Sequence, residues 1–176
     1  NSNETDSMFR DTRFDPRPAG IVLQEPLSTC SKTFFARPGN YRVVVSRGNE
    51  YTIVDQTVVV SAGAAASPVT GNIRRVVNTA GWISADFHQH GINSHDSPMT
   101  SEFKVISYVA EGLEYFVSSD HDFVYDYMAD IVNTNNQGKI GFAPGIETSP
   151  IDYGHWNFID VRPDSSLNGG AVDWGS

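Results

Sequence analysis

The sequence predicts an α+β protein in two parts, and three observations carry that prediction. From Gly20 to about residue 80, short β-branched and aromatic runs alternate with turn formers; past Gly81 the pattern becomes strand, helix, strand, helix; and all five histidines fall between positions 88 and 155. The first pattern suits antiparallel strands joined by tight turns, and the second suits βα units around a largely parallel sheet. The clustering of histidines assigns the chemistry to the second part.

Residues 1–19 are polar, rich in turn formers and without apolar periodicity, so they read as an arm or linker. In the 20–80 module the candidate strands are residues 21–23, 33–35, 41–45, 51–60 and 73–77, with Arg37-Pro38-Gly39-Asn40 and Ser46-Arg47-Gly48-Asn49 between them as turns. In the 81–176 part, residues 82–90 alternate as a strand. Ile106, Val109, Ala110 and Leu113 then fall at i, i+3, i+4 and i+7, and Ser97, Thr100, Ser101 and Glu102 offer a cap and first turn for that helix. Residues 113–117 form a compact strand. Val124, Tyr125, Met128 and Val132 mark a second helix that the 133–138 segment stops, and residues 141–146 and 156–161 supply two more strands.

Composition excludes several function classes. Twelve Lys+Arg against 21 Asp+Glu give a net charge of −9, which disfavours nucleic-acid and anionic-membrane surfaces because both require a cationic patch. No stretch approaches the roughly 20 apolar residues of a membrane-spanning helix. The single cysteine, Cys30, excludes an internal disulfide and a cysteine-rich zinc site. The chain opens at Asn1 without a charged-then-apolar leader, so a processed product or an engineered boundary is expected. No serine stands in a nucleophile elbow, and no glycine-rich loop has phosphate-cradling spacing.

What remains is a set of metal-ligating side chains. Side chains two apart on a strand share a face, so Asp86, His88 and His90 project together. Such a pair of imidazoles suits one divalent ion, while an exposed edge strand carrying two histidines is an equal alternative for the motif taken alone. His121 follows the 115–120 strand, Glu147 follows the 141–146 strand, and His155 precedes the next one, which places all three near strand ends where α/β enzymes build sites. Nitrogen and carboxylate donors without thiolate fit Zn²⁺, Mn²⁺ or Fe²⁺ better than Ca²⁺ or Mg²⁺. Taken alone, Asp86 and Asp120 are ordinary turn or strand-end acids.

The runs Asp86-Phe87-His88-Gln89-His90, Ser94-His95-Asp96-Ser97, Ser119-Asp120-His121, Gly145-Ile146-Glu147 and Gly154-His155 resemble, in order, the motifs of the polymerase-and-histidinol-phosphatase (PHP) superfamily of metallohydrolases, and their spacing is most similar to its carbaryl-hydrolase-type branch. The stretch from Pro38 to Tyr51 is similar to the small β-sandwich that precedes this catalytic domain in secreted members. The resemblance implies a small antiparallel β-sandwich module followed by the first half of a distorted (β/α)7 barrel. It implies two or three divalent ions: one held by His88 and His90, a second by His155 with Glu147 bridging the two, and a third, more loosely occupied site at Asp96 and His121. Asp86 and Asp120 are then groups that orient imidazoles, and His95, which has no counterpart in the motifs, is a solvated loop residue or a rim contact for substrate. The implied activity is metal-dependent hydrolysis of a small-molecule phosphoester, amide, carbamate or ester, in a secreted or periplasmic protein. Family members also use a later histidine and an Asp-x-His pair, and no histidine follows His155. A carboxyl-terminal companion segment or chain is therefore expected, and the alternative reading is a non-catalytic metal-binding or assembly module.

Overall fold

The structure, a computed structural model, describes residues 21–171; the expected arm at 1–19 lies outside the described residues. Two compact units divide the chain, residues 1–78 and 79–176.

In the first unit the described regular structure is one antiparallel ribbon. Strand β1 (Gly39–Val45) pairs with β2 (Val54–Val60) in a register that sets Tyr41 opposite Val58 and Val43 opposite Gln56. Both strands are built from β-branched residues, and the Gly48 turn between them takes a left-handed φ of 57°. Arg42 donates to both carboxylate oxygens of Asp55 across the ribbon, at 2.9 and 2.6 Å. No described residue of this unit is buried. The expected β-sandwich is therefore corrected: a sandwich needs two sheets facing across a core, and here residues 21–23 and 33–35 form no strand while the 73–77 run contributes only a bridge from Arg75 to Tyr51.

The second unit holds the core. Strands β3 (Ala85–Asp86), β4 (Tyr115–Val117) and β5 (Gly141–Ala143) form a parallel sheet in sequential order, and helices α1 (Ser101–Glu111) and α2 (Met128–Asn133) lie in the crossovers. Val105 and Val109, one turn apart, bury one face of α1 against Phe116, Tyr127, Ile131 and Ile140. Phe116 is wholly buried, with Tyr127 edge-on to it at 5.1 Å and Tyr108 at 5.3 Å. Helix α1 ends at Gly112, whose left-handed conformation (φ 80°) lets Leu113 N–H return to the Tyr108 carbonyl.

After β5 the parallel rhythm stops, and the expected first half of a (β/α)7 barrel is not formed. Among the described residues three short strands pair in parallel as one sheet, and they remain a small open sheet rather than an arc of a barrel. Residues 141–146, expected as one strand, break at Pro144, which has no N–H to donate to a ladder. Strand β6 (Gly145–Thr148) then leaves that sheet and pairs antiparallel with β7 (Trp156–Ile159). Gly145 is required at the switch, because a Cβ there would stand 2.6 Å from the carbonyls of both Ser118 and Phe158. Residues 82–90, expected as a full strand, pair over only two residues, since the Asp86 carboxylate accepts the backbone N–H of His88 at 3.1 Å and ends the ladder.

Candidate metal centre

Three chain segments deliver the candidate donors to one place. The loop after β3 carries His88, His90 and Asp96, the segment after β4 carries His121, and the β6–β7 hairpin carries Glu147 and His155. A parallel bridge between His121 and Glu147 joins the last two segments: Glu147 N–H donates to the Asp120 carbonyl at 3.1 Å and Asp122 N–H to the Glu147 carbonyl at 2.9 Å. Glu147 is 2 % exposed and stands at the centre.

Among the described residues the donor atoms fall into three groups that could hold a metal ion: His88–His90–Glu147, His90–Asp96–His121 and His121–Glu147–His155. In the first, His88 Nε2 and His90 Nε2 lie 3.1 Å apart, and Glu147 Oε2 lies 3.3 and 3.1 Å from them. Donors at 2.0–2.1 Å from one tetrahedral ion stand about 3.3 Å apart, so this triangle matches three ligands on one face of a zinc-sized ion. Glu147 Oε2 is buried and makes no hydrogen bond although three imidazoles crowd it, the third being His121 Nδ1 at 3.3 Å. The nitrogens are near enough for ion pairs but not aligned to donate, which is the arrangement expected where lone pairs converge on a cation. The donor set therefore fits a divalent metal.

The other two groups share members with the first. Glu147 turns its second oxygen, Oε1, to His155 Nδ1 at 3.1 Å, so its carboxylate faces the first group on one side and the third on the other. Asp96 approaches His90 Nδ1 at 3.4 Å and His121 Nε2 at 3.5 Å with different oxygens. All six residues expected as ligands, His88, His90, Asp96, His121, Glu147 and His155, are thus brought together. His95 is in none of the groups; its ring stacks on that of His121.

Electrostatics favours the forms that bind metal. Burial pushes the His90 imidazole below its ordinary value, His121 and His88 add to this, and Asp96 and Glu147 oppose it. The Asp96 carboxyl is held below the usual range first by the Ser94 hydroxyl and then by His90 and His121, against a desolvation that acts the other way. A neutral imidazole and an ionised carboxylate are the ligand states.

Asp86 and Asp120 hold backbone rather than rings. Asp86 accepts from His88 N–H, and Asp120, wholly buried, accepts a short hydrogen bond from Gly91 N–H. Gly91 is wedged there: a Cβ on it would come 2.5 Å from the Tyr127 hydroxyl and 3.6 Å from the Asp120 carboxylate. Sequence reasoning missed the serines that orient the imidazoles. Ser94 Oγ lies 2.9 Å from His90 Nδ1 and accepts the His121 N–H at 3.2 Å, and Ser149 Oγ lies 2.6 Å from His121 Nδ1. Their only sequence signal is proximity, Ser94 four residues past His90 and Ser149 two past Glu147. No protein-family model matches the sequence, and no curated protein matches it.

Proposed function

We propose that this protein is a metal-dependent hydrolase of small molecules, with His88, His90, Asp96, His121, Glu147 and His155 holding two or three ions of Zn²⁺, Mn²⁺ or Fe²⁺. The observation that carries the reading is Glu147 Oε2, a buried carboxylate oxygen without a hydrogen bond, surrounded by three imidazole nitrogens at 3.1–3.3 Å. The ordered motifs shared with PHP metallohydrolases support the hydrolytic class; the barrel of that family is no part of the proposal. When bound, the ions supply Lewis acidity toward a phosphoryl or carbonyl oxygen and acidify a water toward neutrality. The chain's own contribution is to fix the donors: Glu147 provides the buried charge, Ser94 and Ser149 set the planes of His90 and His121, and Asp86 and Asp120 hold the backbone of the loop between them. The side chains of His88 and His155 remain 53 % and 55 % exposed, so a substrate reaches the group from solvent without a lid opening.

That same openness favours the second reading, a metal-binding or assembly module without turnover, whose site is completed by donors of a companion polypeptide. Metal analysis after purification without chelator, followed by assay of nitrophenyl phosphate and nitrophenyl acetate with Zn²⁺ or Mn²⁺, tests both. Bound transition metal with chelator-sensitive hydrolysis is the expected result. Metal without hydrolysis selects the module, and a protein free of transition metal overturns both readings. A homogeneous 19.3 kDa species carrying the full complement of metal excludes the companion.

A further inference from the structure

We propose that His95 is a positioning residue that docks Asp96 onto His121, and so controls the His90–Asp96–His121 group alone; the inference rests on the metal-centre reading above. Four pairs of imidazoles meet among the described residues, and three of them cross at 42°, 54° and 82°. His95 and His121 alone stack, at 4.7 Å between centroids and 26° between planes. The edge of the His121 ring is already engaged: Nδ1 lies 2.6 Å from Ser149 Oγ and 3.3 Å from Glu147 Oε2, and Nε2 lies 3.5 Å from Asp96 Oδ2. A face is what the ring has left to offer, and His95 covers it.

Three consecutive residues therefore grip one histidine. Ser94 accepts the His121 backbone N–H, His95 lies on the ring, and Asp96 points an oxygen at Nε2. The grip matters because the anchoring of this loop is concentrated at buried Ser94, while the two residues after it are exposed. The Asp96 side chain is 46 % exposed and His95 is exposed, while the turn is closed by a single Ser97 N–H to Ser94 carbonyl hydrogen bond of 3.3 Å. Without the stack, Asp96 is held by its turn, by the Ser94 hydroxyl and by ion pairs at 3.4 and 3.5 Å that solvent screens. The first group takes no donor from residues 94–97, and Ser94 Oγ meets the His90 ring without the help of His95. Stacking needs an aromatic face and not a nitrogen, which separates a positioning role from ligation.

The test is titration of the full chain with Co²⁺, read by visible absorption, for wild type, Asp96→Ala, His95→Ala and His95→Phe. Asp96→Ala identifies the part of the uptake that belongs to the second group. His95→Ala is expected to weaken that same part about 10- to 100-fold, the range for groups that orient ligands, leaving the remaining uptake and the thermal midpoint unchanged. His95→Phe is expected to restore it. If His95→Ala titrates like wild type, or His95→Phe is as weak as His95→Ala, the positioning role is overturned. A wild-type chain that takes up no Co²⁺ overturns the metal-centre reading itself, a result distinct from either of these.

Discussion

The two compact units differ in charge before they differ in anything else. Residues 1–78 carry nine Lys+Arg and seven Asp+Glu, a net of +2, while residues 79–176 carry three and fourteen, a net of −11. They differ equally in burial: every buried residue described lies in the second unit, which also holds all five histidines. The first unit shows what strand propensity and cross-strand pairing achieve alone, a ribbon fastened by exposed contacts such as Arg42 to Asp55. The second shows what a core adds. Donors distant in sequence are held within a few ångströms because Phe116, Tyr127 and their neighbours fix the elements beneath them, and the surplus of carboxylates makes the region attractive to cations.

The sharpest way to break the comparison is Phe116→Ala, which removes a wholly buried ring and is expected to destabilise the second unit by about 3–5 kcal/mol. Urea unfolding followed by tryptophan fluorescence measures it, since Trp82 and Trp156 both belong to that unit. Amide exchange across β1 and β2 is expected to stay as in wild type; loss of protection there would show that the ribbon depends on the core. Replacing His88 and His90 together by alanine should remove at least one metal equivalent by elemental analysis with the ribbon untouched, and retention of the full complement would show the donor assignment to be wrong. Gly91→Ala should cost about 1–3 kcal/mol through its collision with the Tyr127 hydroxyl, with Tyr127→Phe in the same chain recovering part of the loss.

Smaller effects sharpen the contrast. Lys104 is buried on α1, and desolvation, opposed by Asp120, Asp86 and Asp96, brings its ammonium down to about 8 from 10.5. Between those values the unfolded chain binds more protons than the folded one, so stability should rise with pH across the window. Above about pH 10 the trend reverses, because burial raises Tyr108 and Tyr127, which keep protons in the fold that the unfolded chain releases. Lys104→Met should flatten the rise, and an unchanged profile from denaturation midpoints would assign it to other groups. Arg42→Ala, by contrast, removes an exposed ion pair on the ribbon and should leave the thermal midpoint of the protein where it is.

Much of the second unit was legible from local pattern. The spacing of Ile106, Val109, Ala110 and Leu113 marks the helix found at Ser101–Glu111, and His121 follows β4 as expected, whereas Glu147, expected after a strand ending at residue 146, lies inside β6. The pattern misled where a run of β-branched residues lacked a partner. Residues 21–23 and 33–35 have strand composition, but among the described residues of the first unit there is no second sheet for them to face. The resemblance likewise implied a barrel, and although Pro144 locally marks a break in the 141–146 run, nothing local announces that the chain leaves the parallel sheet there for an antiparallel hairpin. The serines beside the imidazoles were invisible for the same reason, since a hydroxyl takes a partner only when the fold supplies one.

Residue identity alone determined which chemistry is available: imidazoles and carboxylates without thiolates, on an acidic chain with one cysteine. It also marked the local elements that formed, such as the 101–111 helix, because helical spacing and glycine at a left-handed cap are properties of neighbours in sequence. The tertiary structure decided what those residues do together. Glu147 became a member shared by two of the three donor groups because a bridge to His121 and an antiparallel hairpin bury it there, and His95 became a support for His121 rather than a member of any group. Convergence of donors depends on long-range packing, which a short-range pattern does not encode.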